Sequence, residues 1–554
     1  MTAQSRSDTD TDTDVRAADP AIREVFAAAR AGDLVRAKAL AVAALEAGHE
    51  HPVLLNLRAL DHEERGRLEA ALGDLERANA LAPEDFSILN ARGLVLARLR
   101  RFDAAVSCYE EALALRPDFA PAWFNSGWAL EQLGESARAA DSYARAGELE
   151  PRNAQAWANA AWLAARRGDK VSARSHAERA MAIQPEHPTA VLALASIELT
   201  EPATAERRLR GLLARPDLGP YDRAVALSQL GDALDGLGRP AEAFAAYRDG
   251  NALFRAEAEA RFESLGQTTI PQLLNWLVPW AEQLDARAWT QGGGVGGKRA
   301  GERGHVFLIG FPRTGTTLIE SMLAGHPDVT SLEERDTLGA AVRAYMDAPD
   351  GLRRLAAADG RELGAFRDDY WARVRGFGLE PKGTVFVDKN PFNTLKLPLI
   401  YKLFPDAKLI FALRDPRDVL LSCFRRRFNL NPSTYELLDL TRAAAFYDQT
   451  MRFWEAIRQK QNLDERGLVY ERLVANFEAE ARATCEFIGV DWRPELADFA
   501  GRARRGDVAS ASSEQISRGL FSEGAGQWRR YQAELAPVLS ALEPWAARFG
   551  YPAT

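Results

Sequence analysis

The chain has 554 residues, 47% of them hydrophobic and 27% charged, a length that predicts two or three compact units and a balance that argues against wholesale disorder, a collagen-like repeat or a membrane bundle. Its formal charge of −8 gives no global attraction for nucleic acid, although a local basic pocket can still hold a small polyanion. Three scattered cysteines (Cys108, Cys423, Cys485) argue against a disulfide framework and structural zinc, and no apolar run reaches the length of a membrane span or signal peptide, so the expectation is a cytoplasmic protein without an anchor.

Residues 1–18 alternate threonine and aspartate with almost nothing apolar, which predicts a disordered tail. Beyond it Pro83, Pro117, Pro151 and Pro185 follow one another at intervals of 34 residues. With each proline at position 32 of a 34-residue unit, Gly93 and Gly127 fall at position 8, Trp123 and Trp157 at position 4, and Tyr109 and Tyr143 at position 24. Ala71, Ala105, Ala139 and Ala173 share position 20, and Ala78, Ala112, Ala146 and Ala180 share position 27. This pattern resembles the tetratricopeptide (TPR) repeat. Two antiparallel helices approach closely only where side chains are small, so glycine and alanine mark the crossings and the aromatic positions fill the space between. Residues 21–51 and 224–257, the latter with Gly231, Ala243 and Tyr247 in register, read as degenerate copies. About six units are therefore expected in an all-α solenoid over residues 19–258. The resemblance implies a concave face that takes a peptide or protein partner.

Residues 259–303 predict a helical connector and then a flexible linker, QGGGVGGKRAGERG at 291–304. A second domain is expected over 304–554. Four apolar segments, HVFLIG, TVFVD, AKLIFALR and GLVYERL, are each followed by a helical pattern, which predicts an α/β domain with a parallel sheet.

The first of these segments runs into Gly310-Phe-Pro-Arg313-Thr314-Gly315-Thr316-Thr317. The spacing Gly310-x-x-x-x-Gly315 is that of a phosphate-cradling P-loop, whose amides and helix N-terminus surround phosphate oxygens, but Thr316 stands where a nucleoside triphosphatase carries lysine. Arg313 can supply the cation instead. The third segment ends in Arg414-Asp-Pro-Arg417-Asp-Val-Leu-Leu-Ser422, where an arginine leaving a strand and a hydroxyl further along the next helix can converge on one phosphate; Arg426 lies one turn beyond.

Together the two motifs resemble the 5′-phosphosulfate and 3′-phosphate loops of sulfotransferases, most nearly those of bacterial TPR-sulfotransferase fusions and tyrosylprotein sulfotransferases. The resemblance implies 3′-phosphoadenosine 5′-phosphosulfate (PAPS) as cosubstrate, adenosine 3′,5′-bisphosphate as product and no metal requirement. It assigns Arg313, Thr314, Gly315, Thr316 and Thr317 to the 5′ end, Arg414, Ser422 and Arg426 to the 3′-phosphate, and Tyr470 to the neighbourhood of the adenine. Ser512 and Gln527 fall in a loop that closes over the nucleotide, Ser512 aligned to a phosphate-contacting serine. Glu334 matches the family's base, with Glu333 beside it as the other candidate, and Lys389 with Arg313 and Ser512 completes the catalytic set. His326, in Gly-His-Pro, reads as a helix terminus. Asp336 and Gln527 replace an arginine and a lysine of the animal enzymes, which leaves the hydroxyl acceptor open among protein tyrosine, carbohydrate and small molecule. Two other readings also stay open: a nucleotide-binding TPR scaffold without transferase activity, and a P-loop phosphoryl transferase.

Overall fold

A computed structural model describes residues 19–265, 269–286, 289, 303–461, 464–499, 501 and 524–553. The expected tail, most of the glycine-rich linker, and Ser512 lie outside these residues. The chain divides into two compact units between Arg215 and Pro216, earlier than the boundary near 258 expected from the repeats.

The first unit is all-α. Its helices pair as α1 (Pro20–Arg30) with α2 (Leu34–Glu46), α3 (Pro52–Glu64) with α4 (Leu68–Leu81), and α5 (Phe86–Arg98) with α6 (Phe102–Leu115); then α7 (Ala120–Leu133) with α8 (Ser136–Leu149), α9 (Ala154–Arg166) with α10 (Lys170–Ile183), and α11 (Pro188–Ile197) with α12 (Pro202–Leu213). Asp19, Asp33, Asp85, Asn153 and Asp169 cap helix starts by accepting first-turn amides. The alanines at positions 20 and 27 are all fully buried. A Cβ added to Gly93 would lie 2.4 Å from the Tyr109 ring, so the tyrosine occupies the space that the glycine leaves. The pair α11–α12 went unread in the sequence. Helix α12 starts at 202, two residues short of a 34-residue step from α10 at 170, so its small residues fall out of frame.

The second unit opens with a further hairpin, α13 (Pro220–Gly236) and α14 (Pro240–Leu265), which repeats the glycine–tyrosine contact at Gly231 and Tyr247, again 2.4 Å from an added Cβ. Helix α15 (Ile270–Glu282), part of the expected connector, lies on a helix of the same unit, with Glu282 bonded to Arg452 at 2.7 Å. The sheet follows: β1 (Gly304–Gly310), β2 (Val329–Glu333), β3 (Val385–Lys389), β4 (Lys408–Leu413) and β5 (Glu465–Val469), all parallel, in the order β2-β3-β1-β4-β5. Four of these were expected. The fifth, β2, is an edge strand of five residues within the stretch read only for its glutamates.

Alternation along the strands sorts the two faces. Val306, Leu308, Val385, Val387 and Ile410 join Ile319 and Met322 on one side, while Phe307, Phe386 and Phe411 meet Tyr370, Trp371 and Trp454 on the other. Both faces are therefore covered, as a parallel sheet requires. No helix among the described residues is long and apolar enough to cross a membrane.

Candidate active site

β1 lies between β3 and β4, so the chain reverses its direction of sheet growth there and opens a crevice at the strands' carboxyl ends. Each predicted segment ends in that crevice. After β1 the loop turns at Arg313, whose φ is +70°, and at Gly315, φ +97°, before α16 (Thr316–Leu323) begins. A Cβ on Gly315 would sit 2.7 Å from the Tyr470 ring, so the loop can adopt this course only with glycine there. Thr314 Oγ1 donates to the Phe311 carbonyl at 2.7 Å, and the Thr394 hydroxyl donates to the Gly310 carbonyl at 2.6 Å, fixing the strand end. Thr316 and Thr317 are buried in the first turn of α16.

The segment after β4 meets this loop. Arg313 Nε donates to Ser422 Oγ at 3.1 Å, and Arg414 Nη1 donates to the Arg313 carbonyl at 3.1 Å. Arg414 also reaches the Gly524 carbonyl at 2.5 Å and lies 4.8 Å above the Tyr470 ring. Its buried Nε has no hydrogen-bond partner among the described residues. Ser422 belongs to α17 (Pro416–Arg425), and Arg426 follows it directly. Burial, then the like charges of Arg426 and Arg414, pull the Arg313 guanidinium down to about 10. Three cations drawn together in this way, one with a spare donor, make an arrangement that can hold an anion.

The third component lies at the ends of β2 and β3. Lys389 is 0% exposed and donates to Glu333 Oε1 at 3.0 Å and Glu334 Oε1 at 2.8 Å. Burial pulls its ammonium down, but Glu334 and Glu333 together leave it above the ordinary lysine value. Burial also raises the Glu333 carboxyl, with Lys389 offsetting part of the shift. Glu334 is the more open carboxylate, its side chain 54% exposed against 24% for Glu333. Its φ is +42°, and its amide donates to the Lys389 carbonyl at 2.7 Å. Among the described non-glycine residues only Arg100, Arg313 and Glu334 have positive φ, so two of these three unfavourable conformations occur in this crevice.

Other predicted residues fall at the edge of the site or play another part. Gln527 accepts from Arg425 at 3.1 Å. His326 is committed to the backbone: Nε2 donates to the Asp491 carbonyl at 2.8 Å and Nδ1 accepts the Asp328 amide at 3.0 Å, the helix-terminus setting expected from its sequence. Arg417 is fully buried, paired twice with Asp415 and 4.0 Å from the Trp528 ring. Asp418 and Arg425 escaped the sequence reading. Asp418 accepts the amides of Gly526 at 2.6 Å and Trp528 at 2.8 Å, and the only signal for Arg425 was its place in the basic run 425–427.

Residues 305–494 match the family model described as the sulfotransferase family, and residues 90–149 match one for the tetratricopeptide repeat. An "Uncharacterized protein" of Aquifex aeolicus (strain VF5) is 27% identical over 258 residues, which cover 44% of this chain and 33% of that one. "Protein-tyrosine sulfotransferase A" of Caenorhabditis elegans is 23% identical over 263 residues, covering 44% of this chain and 67% of the relative. "Protein-tyrosine sulfotransferase 1" of Danio rerio is 25% identical over 271 residues, covering 44% and 72%. The match thus spans only a third of the Aquifex protein. The strands and helices that carry Arg313, Lys389 and Arg414 are those of a sulfotransferase-family domain at residues 305–494, and the helical hairpins at 90–149 are tetratricopeptide repeats.

Proposed function

We propose that this chain transfers a sulfuryl group from PAPS to a hydroxyl acceptor of the protein-tyrosine class, and that its repeat unit binds a peptide or protein partner. The observation that carries the reading is the meeting of the two anion-binding segments: Arg313 touches Ser422, 109 residues away, and Arg414 touches Arg313. A single phosphate loop would need no such second arm. The converging arginines and the spare donor of Arg414 suit a ligand with anions at two ends. Residues 313–317 would hold its 5′ end, and Arg414, Ser422 and Arg426 its 3′-phosphate, with Tyr470 near the base.

When bound, PAPS supplies a sulfuryl group on a phosphate leaving group. Glu334 takes the proton of the acceptor hydroxyl, a contribution of about a hundred- to ten-thousandfold for a well-placed general base. Lys389 and Arg313 hold positive charge, fixed before the reaction, where negative charge develops on the departing phosphate. Thr316 in place of the P-loop lysine disfavours a magnesium-dependent phosphoryl transfer.

Calorimetric titration with adenosine 3′,5′-bisphosphate, with and without magnesium and beside ATP, tests the reading. Binding of the bisphosphate in preference to ATP, independent of metal, is expected, and Arg414→Gln should weaken it about 10- to 100-fold, the loss of charged hydrogen bonds worth about 1.5–3 kcal/mol. A magnesium-dependent preference for ATP would overturn it. Bisphosphate binding without transfer to any of a panel of tyrosine peptides, sugars and phenols would leave a nucleotide-binding scaffold.

A further inference from the structure

Helix α17 carries Ser422 near its C-terminal end, and Cys423, Phe424 and Arg425 separate that serine from Arg426. Phe424 and Arg425 are gripped by the hairpin α13–α14, which itself contributes none of the residues assigned to the site. The Phe424 carbonyl accepts from Asn251 Nδ2 at 2.9 Å, and its ring stacks on Phe244 with centroids 4.9 Å apart. Arg425 Nη2 donates to Asp235 Oδ2 at 2.7 Å, while Nη1 reaches Gln527 Oε1 at 3.1 Å. The guanidinium lies 5.5 Å from the Tyr247 ring and 5.6 Å from that of Tyr531. Asp235 in turn accepts the Tyr531 hydroxyl at 2.6 Å and pairs with Arg530 at 2.8 Å.

We infer that Asp235 is a positioning residue for the 3′-phosphate site, acting through Arg425 on the end of α17 and on Gln527; the inference rests on the sulfotransferase reading above. Two physical points carry it. First, Arg425 and Asp235 are only 16% and 13% exposed, and a pair so far removed from water is expensive to form where apolar contact would serve for docking alone. Phe244 and Phe424 already supply that contact. Second, Arg425 adjoins a cluster in which Arg313, Arg414 and Arg426 already repel one another. Asp235 supplies the counter-charge that turns Arg425 toward the hairpin, so that Arg426 and not Arg425 accompanies Ser422 at the phosphate. Displacement of a binding group by about 1 Å is enough to cost two orders of magnitude in a reaction that depends on alignment.

The test is the preference of the full chain for adenosine 3′,5′-bisphosphate over adenosine 5′-monophosphate, which differ only in the 3′-phosphate. Asp235→Asn keeps the shape and removes the charge. It should lower that preference about tenfold by weakening the bisphosphate while leaving the monophosphate within about twofold. Tyr531→Phe, which removes one hydroxyl and keeps the ring beneath Arg425, should act in the same direction by less, and it carries the comparison if Asp235→Asn does not fold. Asp74→Asn breaks a buried ion pair of the repeat unit and should leave the preference unchanged. Equal weakening of both nucleotides, or of neither, by the Asp235 and Tyr531 variants would overturn the inference. A wild-type chain without preference for the bisphosphate would overturn the sulfotransferase reading itself.

Discussion

The buried carboxylates of the repeat unit, Asp74 and Glu198, are each closed off by arginine. Arg58 binds both oxygens of Asp74 at 2.7 Å, and Arg208 binds both oxygens of Glu198 at 2.8 and 2.9 Å. In the crevice of the second unit two buried cations, Lys389 and Arg414, are instead shared or left with capacity. Lys389 serves two carboxylates at once, and the buried Arg414 Nε has no partner among the described residues. A saturated pair holds a shape; a cation with a donor to spare leaves room for a ligand. The two units also differ in what fills their interiors, the first resting on recurrent alanines and glycine-backed tyrosines, the second on a two-faced sheet whose strand ends carry the charges.

Substitutions on either side of this contrast should separate transfer from stability. The largest effect is expected of Glu334→Gln, which should lower transfer about a hundred- to ten-thousandfold while bisphosphate affinity stays within about twofold; undiminished turnover would remove Glu334 as the base and return the choice to Glu333. Gly93→Ala pushes a methyl group into the Tyr109 ring and should destabilise the repeat unit by about 1–3 kcal/mol, leaving nucleotide affinity intact. Chemical denaturation followed beside calorimetry reads both quantities, and a fall in nucleotide affinity matching the stability loss would mean that the contrast between the units is false. The smallest effect concerns acid. Burial drives the His305 imidazole down to about 3, so the folded chain refuses a proton that the unfolded chain takes up near the ordinary value of 6.5. Its contribution is complete above that value and is lost as pH falls toward 3. Replacement by glutamine, which can still donate to the Tyr370 hydroxyl, should reduce the loss of stability between pH 7 and pH 5, an effect on the order of 1 kcal/mol that is read as a smaller fall in melting temperature.

Much of this architecture was legible in the chain. The repeat could be read because it recurs: wherever the second helix of a pair keeps the 34-residue step, as α2, α4, α6, α8 and α10 do, alanine returns to the same positions, and in α12, which starts two residues early, the signal disappears. The meeting of the two loops after β1 and β4 could be read because loops of the kind proposed to surround phosphate constrain glycine, hydroxyl and cation within a few residues. Three things could not. Edge strand β2, with only Val329 and Leu332 apolar and these not adjacent, presents no apolar run. The sharing of Lys389 between Glu333 and Glu334 depends on β2 pairing with β3, which places Glu333 opposite Lys389. The link from Asp235 to Arg425 joins residues 190 positions apart, and nothing local to either announces the other.

That last link bears on how the chain acquires its structure. Synthesis delivers the N-terminal end first, so the hairpin α13–α14 leaves the ribosome while its partners are still untranslated. Asp235 must wait 190 residues for Arg425 and 296 for Tyr531, and Asn251 waits 173 for the carbonyl of Phe424. Contacts of such long range close late and slowly, because the loops between them must be brought together first. The early repeats, whose partners are neighbours, can form as they emerge. The hairpin that looks like their last member should be among the last parts of the molecule to settle, completed only when the C-terminal segment arrives.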